Sequence, residues 1–354
     1  MDSHTAIANG PTDAQTDAPT DPIAHNPAGV GEPVADVQSL IARAHKIMLE
    51  RDKEGPQRRD VHTKMNALMR AEFTVDDSVP PELRHGIFAR PGTYKAWVRS
   101  SNSSNNVQPD IERDIRGLAI KLMGVPGRKV LASDPDAPTQ DFILVNARNF
   151  PARTAGETHV LFNAVLGSLW DKLGYAAQHP IRLWQLVRAM QRHANILQIR
   201  YFSPVPYALG PYVVKYVATP RVAVFDELPV APTENFLRER AKAQLAEGEA
   251  VFDFAVQVQR DEACMPLDDP LKIWSLELSP PRKLATLRIF KQDFDKPAIN
   301  SCGENLSFNP WHSLAEHQPL GTLNMARKTI YETLSAYRHK ANQSAQREPG
   351  DWDV

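Results

Sequence analysis

Residues Arg59-Asp-Val-His62-Thr-Lys-Met-Asn-Ala-Leu-Met-Arg-Ala-Glu-Phe-Thr-Val75 set a histidine at the mouth of a partly alternating run, with an arginine three residues before it. The alternation over Asn66–Val75 predicts a strand. An imidazole there suits proton transfer near neutral pH, and it equally suits an ordinary hydrogen-bonded histidine at a strand edge. Towards the other end, Arg327-Lys-Thr-Ile-Tyr331 places an arginine four residues before a tyrosine, with Arg338 further on. Residues four apart share a helix face. A phenol, whose ordinary pKa is about 10, binds iron well only as the phenolate, and a neighbouring cation can hold that anion. The same pair is also what a solvated helix face presents.

Between these segments the texture is mostly β. Short apolar runs at Tyr94–Ser101, Leu118–Met123, Phe142–Val145, Tyr212–Ala218, Val251–Gln259, Leu271–Leu278 and Ala285–Phe290 join Asn66–Val75 to make eight candidate strands. They do not alternate with a regular series of helices, which favours an antiparallel sheet or closed barrel over a doubly wound fold. Helical spacing appears at Val37–Arg51, at an insertion over Thr158–Gln198 interrupted by His179-Pro180, and at Leu323–His339. The expected class is α+β, an eight-stranded antiparallel β-barrel with flanking helices. Phe252, Phe254 and Trp274 are expected in its core.

Composition narrows the function. The chain has 354 residues, 42% of them hydrophobic, enough for a substantial core. Its net charge of −1 gives no basic field for nucleic acid. No apolar run approaches the roughly 20 residues of a membrane span, and no signal peptide is evident. Cys264 and Cys302 cannot build a disulfide framework, so a cytoplasmic location is expected. Residues 1–35, rich in Ala, Pro, Thr and Asp, read as a disordered tail, and 341–354 as a second tail, leaving 36–340 as one domain.

A series of segments, in order, resembles those of haem catalases. Arg59 to Val75 resembles the segment carrying the distal histidine. Trp97-Val-Arg99-Ser-Ser101 is similar to the strand whose arginine holds a haem propionate and whose serine supports that histidine. Arg113-Asp-Ile-Arg-Gly-Leu-Ala-Ile-Lys121 resembles the family signature, with Ile115 where proline usually stands. Phe142 to Phe150-Pro151 is similar to the segment over the distal face. Pro266 to Trp274 and Leu306 to Pro310 resemble the approach to the proximal helix, which Arg327, Tyr331 and Arg338 then match.

The resemblance implies haem b. It implies Tyr331 as the iron ligand with Arg327 beside it, and Arg59, Arg99 and Arg338 as planar forks for the propionates. It implies His62 as the distal acid–base, oriented by Ser101, with Val61 and Phe150 walling the pocket. His85, His159, His179, His193, His312, His317 and His339 match no ligand position and are expected mostly on the surface or in loops.

Three departures bear on the reaction. About twenty residues follow Tyr331, so the arms that bury haem and lock the usual tetramer are expected to be reduced. Counting back from Phe150 to the place of the distal asparagine reaches Ala137, with Gln140 the nearest amide. Met123–Pro138 is rebuilt. These features look like the short catalase-related branch of minimal haem peroxidases and an allene oxide synthase. The expected activity is cleavage of an organic or lipid hydroperoxide, or of hydrogen peroxide, with oxidation of an organic co-substrate. A small catalase and a haem-binding or haem-sensing protein are the alternatives. A homo-oligomer, dimer or tetramer, is the expected assembly.

Overall fold

The computed structural model describes residues 34–166 and 168–353. Strands β1 (Met65–Val75), β2 (Gly92–Asn102), β3 (Arg116–Met123) and β4 (Thr139–Val145) form a run of antiparallel neighbours. The strands β5 (Tyr201–Phe202), β6 (Tyr207–Leu209), β7 (Tyr212–Pro220), β8 (Ala250–Val258) and β9 (Arg282–Ile289) continue the sheet in the order β4-β5-β7-β8-β9-β1. The β5–β7 pairing closes it into an eight-stranded antiparallel barrel, and β6 adds to β7 outside the closed ring.

Aromatic side chains fill the lumen. Phe73, Phe142, Tyr216 and Phe254 come from β1, β4, β7 and β8 and meet at centroid separations of 4.9–6.1 Å. Strands β1 and β4 are not neighbours, so the Phe73–Phe142 contact crosses the interior. From Ala96 onward β2 is buried on both faces, because helices and loops cover the outer face as well. That double burial is why the alternation in sequence is only partial.

Among the described residues seven helices lie around the barrel: α1 (Val34–Arg51), α2 (Ala155–Leu166), α3 (Leu169–Gln178), α4 (Pro180–Ala189), α5 (Phe236–Glu247), α6 (Pro297–Asn305) and α7 (Thr322–Ala341). Helices α2–α4 realise the expected insertion, with the break at His179-Pro180.

Four expectations are corrected. Leu271–Leu278 is turn and loop. Trp274 is buried, but in a small cluster with Met265 and Leu320 apart from the barrel core, while Ile273 and Leu278 are exposed. The eighth barrel strand is instead the two-residue β5, too short to show a period. Helices α5 and α6 were not foreseen. Residues after Ala341 are docked rather than frayed: Trp352 donates its indole N–H to Ala96 O at 2.9 Å, and Glu348 pairs with the buried Lys121 at 2.5 Å. The expected N-terminal tail lies outside the described residues, except Val34 and Ala35, which open α1.

Candidate functional site

One cavity of about 730 Å³ lies between α7 and the outer face of β2–β4. The candidate site residues His62, Ser101, Arg59, Val61, Arg99, Phe150, Arg327, Tyr331 and Arg338 all line it, and none of the seven unmatched histidines does. Helix α7 contributes Leu323, Arg327, Ile330, Tyr331, Leu334 and Arg338, one stripe at helical spacing. The barrel contributes alternate residues, Arg99 and Ser101 from β2 and Gly117 and Ala119 from β3, which are cross-strand partners.

His62 enters just before β1, where the register slips between Met65 and Ala67. Its φ of 58° is left-handed, a conformation that persists only where surroundings enforce it. They do so from both sides: His62 N donates to Ser103 O at 3.1 Å, and the Arg99 guanidinium donates to His62 O at 3.1 Å. The ring Nδ1 lies 3.0 Å from Ser101 Oγ. Gly117 sits directly across from Ser101, and a Cβ there would stand 2.6 Å from His62 Cε1 and Nδ1. Burial, then the charges of Arg99, Arg59 and Arg327, push the imidazole down to about 3, so it is neutral at physiological pH.

Arg59, Arg99 and Arg338 converge on the C-terminal end of α6. Arg59 donates to Gly303 O at 3.2 Å and to Leu306 O, Arg99 to Gly303 O at 3.3 Å, and Arg338 to Glu304 O at 2.5 Å. These are carbonyls a helix end leaves without partners. Glycine at 303 allows the approach, since a Cβ would collide with the Met65 side chain. Among the described residues the one carboxylate paired with the trio is Glu304, 3.4 Å from Arg59 and 42% exposed. Burial lowers all three, and repulsion by Arg59 lowers the other two further: Arg99 goes well below its ordinary value, and Arg338 to about 9. Glu304 offsets only part of this. The cluster therefore carries surplus buried positive charge, and two carboxylates from a bound group fit that donor set.

On α7, Arg327 lies 3.3 Å from Tyr331 Oη and is steadied by Asn324 Oδ1 at 2.8 Å. Burial opposes the Arg327 charge, but the phenols of Tyr331 and Tyr207 outweigh it and hold the guanidinium above its ordinary value. Asn324 is fully buried and donates to Pro206 O and Leu320 O. Its role was missed in sequence, although its i, i+3 spacing to Arg327 was visible. The role of the α6 carbonyls had no local signal at all.

Gln140, the nearest amide to the expected distal asparagine, does not reach the cavity: its Oε1 accepts from Leu314 N at 2.9 Å. The amides in the wall are Asn105, Asn106, Gln108 and Asn149. Among the unmatched histidines, His312, His317 and His339 are buried, contrary to expectation. His312 lies 3.5–3.7 Å from carboxylate oxygens of Asp134, Asp141 and Glu348. The Lys121 ammonium already supplies the cation there, pairing with Asp141 and Glu348.

No family model matches this sequence, and no curated protein does. Solved structures do. A bacterial catalase superposes with a TM-score of 0.65 at 16% identity, covering 95% of this chain and 67% of its own. A fungal catalase gives 0.64 at 17%, covering 96% and 72%. Catalase A from Saccharomyces cerevisiae gives 0.66 at 14%, covering 92% and 71%. The chain thus has the catalase fold. At these identities that is a statement about architecture, and function rests on the site.

Proposed function

We propose that the protein is a haem b enzyme that cleaves an organic hydroperoxide and oxidises an organic co-substrate. The observation that carries this reading is the composition of one cavity. It joins a neutral, oriented imidazole, an arginine-backed phenol and three arginines in carboxylate-poor surroundings, and it continues into an apolar wall of Leu161, Phe162, Val165 and Leu186. Such a wall suits a lipophilic hydroperoxide better than hydrogen peroxide.

Tyr331 would ligate the iron through its phenolic oxygen, and Arg59, Arg99 and Arg338 would hold the two propionates. Bound haem supplies the redox-active iron for O–O cleavage. With Nδ1 held by Ser101, His62 offers Nε2 to take the hydroperoxide proton and to return it to the departing alkoxide oxygen. Val61 and Phe150 keep water from the reacting oxygens. Cys264 and Cys302 are both free, which fits the cytoplasmic location we propose. No described helix is long and apolar enough to cross a membrane.

The test compares oxygen release from hydrogen peroxide with turnover of a fatty-acid hydroperoxide, using protein reconstituted with haem. Faster hydroperoxide turnover supports the reading, and dominant oxygen release makes the protein a small catalase. Absence of a Soret band after reconstitution removes haem from the account.

A further inference from the structure

Helices α3 and α4 show their most apolar faces to solvent. Leu169 and Trp170 are 68% and 80% exposed, and Ile181 and Trp184 are 71% and 57% exposed, with Leu173 and Val187 beside them. Helix α4 buries none of its ten residues fully. Their inner contacts are few: Tyr175 joins Leu161 and Ala164 of α2, with Leu186 packed alongside. A hairpin so apolar outside and so thinly packed inside is unusual for a surface that meets only water.

Its charges point to one covering. Within this region Glu157 is paired with Arg182 at 2.8 Å, and Asp171 is occupied in the capping box with Ser168. Lys172, Arg188 and Arg192 are exposed and have no carboxylate partner among the described residues; Arg188 lies 4.7 Å over the Trp184 ring. A two-fold pairing of this face with itself would set cation against cation. An anionic lipid surface answers both features. Indoles settle at the headgroup level, aliphatic side chains enter below it, and Lys and Arg reach the phosphates.

The face is also continuous with the cavity. Leu161 and Val165 of α2 and Leu186 of α4 line it, as does Met190 just beyond α4. We propose that α3–α4 is a membrane-surface docking element that seats the cavity mouth on an anionic bilayer, from which a lipid hydroperoxide enters directly. Docking stands on its own observations. The delivery step rests on the proposed hydroperoxide activity.

The experiment is sedimentation of the full chain with phosphatidylglycerol/phosphatidylcholine vesicles and with phosphatidylcholine alone, beside an Ile181→Glu/Trp184→Glu variant. Neither substituted residue lines the cavity. Expected are binding that favours the anionic vesicles and weakens with salt, and a loss of about tenfold or more in the variant. The variant should keep its turnover of a small water-soluble hydroperoxide and lose that of a vesicle-borne one. Failure of the wild-type chain to bind, or equal binding by the variant, overturns docking whatever the activity results. A dimer in solution that the substitutions dissociate also overturns it and makes this face a self-interface. Vesicle binding without any hydroperoxide turnover upholds docking and rejects the enzymatic reading.

Discussion

The His62 imidazole lies against the bare α-carbon of Gly117, so close that a methyl group there would stand 2.6 Å from the ring. Ser101, the cross-strand partner of Gly117, holds Nδ1 of the same ring. Gly117→Ala must therefore push the imidazole off its seat or move β3, and the histidine is the freer of the two. The expected result is retention of haem with hydroperoxide turnover reduced by about a hundredfold, the effect of roughly 1 Å of misplacement. Stopped-flow kinetics on haem-loaded variant checks it. Unchanged turnover would mean that His62 does not work from this position.

Tyr331→Phe removes the one phenolic oxygen that lies beside Arg327 on the α7 stripe. Tight haem binding should be lost, seen as a collapsed Soret band after gel filtration. Arg327→Met should weaken binding less and shift the spectrum, since the ligand atom survives without its neighbouring cation. Full retention of native absorbance by Tyr331→Phe would assign the ligand elsewhere.

The arginine trio gives a separate test with an altered cofactor. Two buried guanidinium groups and a third that is mostly buried, with one half-exposed carboxylate among them, should gain most from two incoming carboxylates. Haem with both propionates esterified is therefore expected to bind more weakly by about 2–5 kcal/mol. Titration of the apoprotein with free-acid and diester forms measures the difference. Equal affinities would leave Arg59, Arg99 and Arg338 as caps of α6 only.

The reach of sequence reasoning follows the range of the interactions involved. Tyr331 and Arg327 are one helical turn apart, and His62 opens a strand with a readable pattern, so both were legible. The barrel was legible because most of its strands exceed six residues. Tyr201–Phe202 was not, since two residues carry no period, and Leu271–Leu278 took its place because apolar residues in a loop can mimic alternation. Helix α6 escaped notice because its Gly303 and Asn305 lower helix propensity, yet its carbonyls are what gather the three arginines. The docked C-terminus was hidden for another reason: polar residues such as Glu348 look solvated until the distant Lys121 is found beside them.

Acid should destabilise the folded chain through its histidines. Burial, then His85, pushes His317 down to about 3, and burial, then Arg116, pushes His193 down to about 4. His62 behaves likewise. An unfolded histidine titrates near 6.5, so below that pH the unfolded chain takes up protons that the folded chain refuses. The stabilisation is fully present above about pH 6.5 and is lost as pH falls towards about 4 for His193 and about 3 for His317 and His62. His317 Nε2 accepts from Ile87 N at 3.0 Å, a bond that protonation would break. Urea midpoints measured across this range should fall with pH, and less steeply in His317→Gln. Equal slopes in the two proteins would show that His317 is not among the titrating groups.

Lys121→Met tests how the C-terminal segment is held. Lys121 and Asp141 are completely buried, and the ammonium lies 2.8 Å from Asp141 and 2.5 Å from Glu348. Removing it leaves two carboxylates without their cation, beside the His312 imidazole at 3.5–3.6 Å. The expected cost is about 3–5 kcal/mol, the range for breaking a buried pair from one side. Adding Glu348→Gln should recover part of that loss, because one of the stranded charges is then neutral. Limited proteolysis should cut after Ala341 in Lys121→Met and much less in the double variant. If the double variant is instead less stable than Lys121→Met, the Glu348 hydrogen bond from Thr139, at 2.7 Å, anchors the tail more than the lysine does.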